Sequence, residues 1–246
     1  MRFCVDAVEE LIEIFPSRYI HLGGDECPRT EWEASSQVRD RISALGLSGP
    51  DALQGWFTAQ MASVLDRRGR RLVGWDEIVE CGQLPAGATV MSWRGERGGI
   101  EASAAGFDVV MCPNEPCYFD YYQSSSPDEP LGISGLNRLE DVYHFDPVPE
   151  ACSEESVEHV LGTQFQLWSE YLPDARAVEY MAFPRAAALA EVAWSGPGGE
   201  LGEFRERLEE HELRLDALGV GYRPLTGPRP WQRGGTGSRR RFDPAF

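Results

Sequence analysis

One alternation constrains this chain more than any other feature. Short apolar runs rich in β-branched residues take turns with longer segments of helical period, and the runs stop at polar or aromatic residues. The runs are residues 18–22, 71–75, 88–93, 108–112 and 159–168. Between them, Val5, Val8, Leu11, Ile12 and Phe15 recur at helical spacing, and Pro16 closes that helix. Segments 52–65, 99–105, 176–194 and 204–218 read as further helices. Strands that alternate with helices pair in parallel through right-handed crossovers. The expected fold class is therefore α/β, a TIM-type (β/α)8 barrel or an open parallel sheet. Both architectures collect functional groups at the C-terminal ends of their strands. Five runs leave an eight-stranded barrel open. Residues 1–226 read as the folded unit, residues 113–149 as a long loop, and the Gly-, Pro- and Arg-rich stretch 227–246 as a disordered tail.

Composition removes several functions. The chain has 246 residues and a net charge of −17, and all 23 basic side chains are arginine. Without lysine there is no Schiff-base catalysis and no P-loop. An acidic chain is a poor general ligand for nucleic acid phosphates, so no nucleic acid partner is expected. No apolar run approaches the roughly 20 residues of a membrane helix, so no membrane partner is expected either. The start, MRFCVDAVEELIEIF, does not read as a signal peptide, and localisation stays open. Six cysteines without a CxxC pair, and only four histidines, argue against zinc modules. The cysteines read as reduced thiols, with a Cys112–Cys117 bridge as the alternative. A metal hydrolase built on His21, Asp25 and Glu26 lacks a second well-spaced histidine, and no cofactor is expected.

The chemistry concentrates at run ends. His21-Leu-Gly-Gly-Asp25-Glu26 places two adjacent carboxylates after two glycines, which let the backbone turn sharply and a ligand approach closely. Adjacent side chains at a strand end point differently, so Asp25 and Glu26 can hold different environments, as an acid and its ionised partner require. Trp75, Trp93 and Trp168 each end another run, and Tyr118 lies just beyond a fourth. Indole faces pack on the C–H faces of a pyranose, and carboxylates and phenols bond its hydroxyls. Asp120 and Glu170, two residues beyond Tyr118 and Trp168, extend this set. Trp32, Trp56 and Trp194 read as core residues.

His-Leu-Gly-Gly-Asp-Glu, Gly-Trp-Asp-Glu, Ser-Trp-Arg-Gly, Tyr-Phe-Asp and Leu-Trp-Ser-Glu, in that order, resemble the β-N-acetylhexosaminidases of glycoside hydrolase family 20. The resemblance runs to about residue 224. It implies hydrolysis of terminal non-reducing β-linked N-acetylhexosamine with retention, the substrate's own acetamido oxygen acting as nucleophile. On that resemblance Glu26 is the general acid and Asp25 orients the 2-acetamido group. Trp75, Trp93 and Trp168 enclose the acetamido methyl and the sugar face, and Tyr118 bonds the acetamido oxygen. Asp120 and Glu170 bind sugar hydroxyls, and the partner is an N-acetylglucosamine- or N-acetylgalactosamine-containing glycan. The family pattern places HLGGDE at the end of barrel strand four, so strands four to eight are expected here. The first-strand Arg and the third-strand Asp and His of the family have no counterpart. A fragment, or a chain completed by a polypeptide that supplies strands one to three, is the expectation. The competing reading is a carbohydrate-binding or degenerate protein that keeps the tryptophans without turnover.

Overall fold

The computed structural model describes residues 1–82 and 84–234. The last twelve positions of the expected tail, 235–246, lie outside the described residues. The chain divides into two compact units, residues 1–111 with 148–161, and residues 112–147 with 162–246.

The first unit opens with α1 (Arg2–Ile14), followed by β1 (Tyr19–His21). Three helices come next, α2 (Thr30–Ala34), α3 (Ser36–Leu45) and α4 (Pro50–Arg67), leading to β2 (Arg71–Trp75) and α5 (Glu77–Glu80). Then follow β3 (Thr89–Ser92), α6 (Arg97–Ala104) and β4 (Asp108–Met111). Strand β1 pairs in parallel with β2, β2 with β3 and β3 with β4, with Ile20 opposite Leu72, Gly74 opposite Val90 and Val90 opposite Val109. Helix α9 (Glu154–Val157) precedes β5 (Val160–Thr163), which completes a five-stranded sheet in chain order β1-β2-β3-β4-β5. This is the expected α/β class, and all five expected strands form. Ile20, Leu72, Val73, Val90 and Val109 are buried, as are Leu65 of α4 and Ala102 of α6. Runs buried on both faces must be nearly all apolar, which explains why they read so clearly.

In the second unit, the stretch expected as an open loop contains a short helical turn, α7 (Asn114–Cys117), and α8 (Leu139–Tyr143). The expected single helix over 176–194 is two, α10 (Ala175–Ala182) and α11 (Arg185–Ser195). Pro184 causes the break. It has no N–H to donate, and it holds Phe183 out of the helical region, at φ −102, ψ 137. Helix α12 (Leu201–Leu218) ends on Gly219 in the left-handed conformation. Beyond it the chain departs from the disorder expected from residue 227. Arg229 donates to Asp216 at 2.9 Å, and Gln232 donates to the Gly221 and Tyr222 carbonyls at 3.0 and 2.8 Å.

One further expectation, that Trp194 is core, is corrected, and the reading of the cysteines as reduced thiols is met. Trp194 is not core but 92% exposed, because it sits in the last turn of α11 on the face away from Ala188, Leu189 and Val192. All six cysteines are free, Cys112 and Cys117 among them.

Gly55 in α4 shows how closely the first unit is packed. A Cβ placed there would lie 1.8 Å from the Cys81 carbonyl oxygen. Gly55→Ala would gain about 1 kcal/mol in helix propensity, yet it must push backbone away from backbone. Overpacking of this kind costs about 1–3 kcal/mol or more, so the clash wins. The expected outcome is a net loss of stability, read as a lower denaturant midpoint. A midpoint raised by the substitution would refute this packing.

Candidate functional site

Strand β1 hands the chain to the carboxylate pair through a continuation of the sheet ladder. The Leu22 amide donates to the Val73 carbonyl at 2.9 Å, and the Trp75 amide donates to the Gly23 carbonyl at 3.0 Å. Gly23 and Gly24 then turn with φ of 74° and 112°. A Cβ on Gly24 would meet Ile78 at 2.5 Å, so only glycine fits between β1 and α5. Gln54 of α4 donates to the Gly24 carbonyl at 2.7 Å. Glu26 takes φ 44, the one positive value for a non-glycine among the described residues. Such a conformation costs free energy and persists where the surroundings impose it, typically at functional sites. Asp25 is half-buried and the Glu26 side chain is exposed.

His21 lies beside this turn. Its Nδ1 accepts from the Gly23 amide at 3.0 Å, and its ring meets that of Trp75 edge-on at 4.8 Å. Burial lowers its pKa, against the opposing pull of the Asp25 carboxylate. Trp75 itself is buried.

Trp93 follows β3 and donates its indole N–H to Glu77 Oε2 at 3.0 Å. Next to it, Arg94 donates through Nε to Asp76 Oδ1 at 2.8 Å and through Nη2 to Glu80 at 2.8 Å. Asp76 is buried, with 1% of its side chain exposed, while Arg94 reaches it from the surface with 37% of its side chain exposed. Burial pushes the Glu77 carboxyl up to about 7, opposed by the Trp93 N–H and, more weakly, by Arg94. Asp25, Glu26, Trp75 and Trp93 thus occupy the C-terminal ends of three consecutively paired parallel strands in the first unit.

The second unit assembles Tyr118, Asp120, Trp168 and Glu170. The Phe119 amide donates to the Gln166 carbonyl at 2.8 Å, and the Gln166 amide donates to the Cys117 carbonyl at 3.0 Å. This short parallel bridge brings the Tyr118 and Trp168 rings to 6.2 Å, tilted by 60°. Asp120 is 4% exposed. Burial pushes its carboxyl up to about 6, and the nearby Glu170 adds to the rise, against backbone N–H donors at Asp120 and Trp168 and the charge of Arg185. Its Oδ1 is buried with no hydrogen-bond partner among the described residues. Glu170 and Trp168 are exposed, so this end of the unit is open to a ligand.

Sequence reasoning missed the groups that hold this segment. Arg185, fully buried, donates to the carbonyls of Phe119 at 2.5 Å, Tyr121 at 3.1 Å and Asn137 at 2.9 Å. Its guanidinium also stacks 4.7 Å above the Phe119 ring. Asn137 donates to the Tyr118 carbonyl at 2.8 Å. Three carbonyls around Asp120 are therefore held by side-chain donors. A lone Arg in the otherwise apolar stretch Arg185-Ala-Ala-Ala-Leu189 was the available signal. A charge on a helix face that apolar neighbours require to be buried must meet partners. Among the described residues, no group of three or more His, Cys, Asp and Glu is placed to hold a metal ion, and no helix is long and apolar enough to cross a membrane.

A family model described as glycosyl hydrolase family 20, catalytic domain, matches residues 1–197. The chain is 41% identical over 237 residues to a beta-hexosaminidase of Porphyromonas gingivalis, covering 96% of this chain and 30% of that protein. It is 31% identical to a beta-hexosaminidase of Vibrio furnissii, over 77% of this chain and 31% of the relative. Among solved structures, it matches a GH20 exo beta-N-acetylglucosaminidase from Vibrio harveyi, in complex with N-acetylglucosamine. That match has a TM-score of 0.83 at 30% identity and covers 91% of this chain and 35% of the other. The chain spans about a third of the length of these relatives.

The raised Asp120 pKa carries a stability consequence. Below about pH 4 the carboxyl is protonated in both folded and unfolded chains. Between about 4 and 6 the unfolded chain ionises while the folded one keeps its proton, so stability is lost as pH rises through this window. A rise from 3.8 to about 6 corresponds to on the order of 2–3 kcal/mol lost by pH 7. Asp120→Asn removes the titration. The stability of the wild-type chain relative to Asp120→Asn is expected to fall by about that amount between pH 4 and 7 in denaturant melts. A pH-independent difference would contradict the placement of this carboxylate.

Proposed function

Because this chain belongs to glycosyl hydrolase family 20, we propose that it contributes the acid and acetamido-binding side of a β-N-acetylhexosaminidase active site. The reaction is hydrolysis of a terminal non-reducing β-linked N-acetylhexosamine. Glu26 protonates the departing glycosidic oxygen, for which an exposed side chain on a fixed, strained backbone is suited. Asp25 holds the acetamido N–H, orients the acetamido oxygen toward the anomeric carbon, and balances the positive charge that grows on the acetamido group as it attacks. No enzyme nucleophile takes part, so positioning supplies much of the rate, and a rigid aromatic enclosure serves that end. Trp75 and Trp93 are wall residues of such an enclosure in the first unit; in the second, Trp168 presents a sugar-stacking face beside the Tyr118 phenol, which bonds an acetamido oxygen. Asp120 and Glu170 accept from sugar hydroxyls, and the unpartnered Oδ1 of Asp120 supports that role.

The observation that carries the reading is the Gly23-Gly24-Asp25-Glu26 turn. The sheet ladder and the contact with Ile78 impose its geometry, and both carboxylates emerge from it at a strand end. We place a further polypeptide segment on the free side of β1, supplying the strands that precede it in the barrel. Tyr19 is 42% exposed there, and Leu11 and Phe15 of the preceding helix and its cap are 38% and 53% exposed. The ligand of the completed site is a glycan ending in N-acetylglucosamine or N-acetylgalactosamine.

The test is a pair of substitutions, assayed with the strands preceding β1 supplied. Glu26→Gln is expected to lose about 10²–10⁴-fold in kcat on substrates with poor leaving groups, and far less on aryl glycosides whose leaving group needs no proton. Asp25→Asn is expected to lose activity whatever the leaving group. Equal leaving-group dependence in the two variants would overturn this division of roles. N-acetylglucosamine binding by the wild type without turnover would favour a non-catalytic carbohydrate-binding protein.

A further inference from the structure

We propose that Glu77 is a positioning residue that sets the orientation of the Trp93 indole. The consequence for sugar binding rests on the reading of Trp93 as a pocket wall; the positioning itself does not. Glu77 opens α5 after β2, whereas Trp93 follows β3, so the two meet because β2 and β3 pair in parallel with Trp75 opposite Met91. An indole has one N–H and no acceptor. That N–H lies in the ring plane, so the acceptor that receives it selects among the staggered orientations open to the ring. Here Glu77 Oε2 receives it at 3.0 Å.

The segment beneath the ring is held by the same two residues that follow Trp75. Asp76 Oδ2 accepts from the Arg94 amide at 3.3 Å, and Asp76 Oδ1 accepts from Arg94 Nε at 2.8 Å. Arg94 Nε also lies 3.6 Å from Glu77 Oε1. Asp76 thus fixes the backbone just after Trp93, and Glu77 fixes its side chain. The Glu77 side chain is only 15% exposed. A carboxyl is costly to withdraw from water, and a specific partner offsets that cost. Glu77 acts through Trp93 and is given no contact with substrate.

The experiment records the indole N–H cross-peaks of the full chain labelled with 15N, with Trp93→Phe identifying the Trp93 signal. Glu77→Gln keeps an acceptor oxygen at the same reach, and Glu77→Met removes it at similar volume. The Trp93 signal is expected to shift or broaden in Glu77→Met and to stay near its wild-type position in Glu77→Gln. In turnover assays Glu77→Met is expected to raise KM about tenfold, the scale of one lost hydrogen bond to a charged acceptor, with a smaller change in kcat. Glu77→Gln is expected to restore KM. If Glu77→Met does not fold, Glu77→Asp replaces it, because a side chain one methylene shorter cannot span the bond. A Trp93 signal unchanged in the variant lacking the bond, or equal effects of Gln and Met, would overturn the proposal. If the wild type, assayed with the strands preceding β1 supplied, shows no turnover while the Trp93 signal responds as stated, the hexosaminidase reading fails and the positioning role stands.

Discussion

The hydrogen bond from the Trp75 amide to the Gly23 carbonyl is where the first unit stops being a sheet and becomes a site. It prolongs the β1–β2 ladder past the last paired strand residue. The next residues must therefore turn within the space left by Ile78, and Gly24 is the residue that fits there. That turn delivers Asp25 and a strained Glu26 at one strand end while the same register delivers Trp75 at the next. A slip of register would move every side chain of β2 to the other face. Parallel pairing thus decides which side chains face the carboxylates.

Burial is used selectively in the first unit. Asp76 is withdrawn from water but meets the Arg94 guanidinium, and charge-assisted bonds of this kind are the strong ones. Glu77 is withdrawn with a weaker set of partners, and its carboxyl is pushed up to about 7 as a result. Glu26 is left exposed. Neighbouring carboxylates thus receive distinct environments.

The second unit relies on a different device. No long strand runs through the segment 118–121, so its backbone carbonyls cannot all be paired by a sheet. Arg185 and Asn137 supply the donors instead, and the Arg185 guanidinium remains charged at neutral pH although burial pulls it down to about 9. Its charge in turn acts on Asp120. Holding a segment by side-chain donors from a packed helix gives a loop the rigidity that a strand would otherwise provide.

How much of this was legible follows from which forces are local. The five strands and the polar residues that end them stood in the sequence, because strands buried on both faces must be apolar throughout and glycine pairs mark turns that other residues resist. The ordered motifs carried the family. The break at Pro184 was equally local, since proline acts on its own peptide and the residue before it; it escaped only because the alanine-rich period ran on past it. What the sequence could not show was partnership at a distance. Glu77 with Trp93 lies across 16 positions, Asn137 with Tyr118 across 19, and Arg185 with Phe119 across 66. Each of these bonds exists only once parallel pairing or helix packing has brought the two groups together. The exposure of Trp194 had the same origin, because a tryptophan is core or surface according to which helix face the rest of the chain covers. Residue types and short-range backbone restrictions therefore determined the fold class and the candidate site. Only tertiary packing decided which carboxylates are buried, which carbonyls are capped and which residues orient the site.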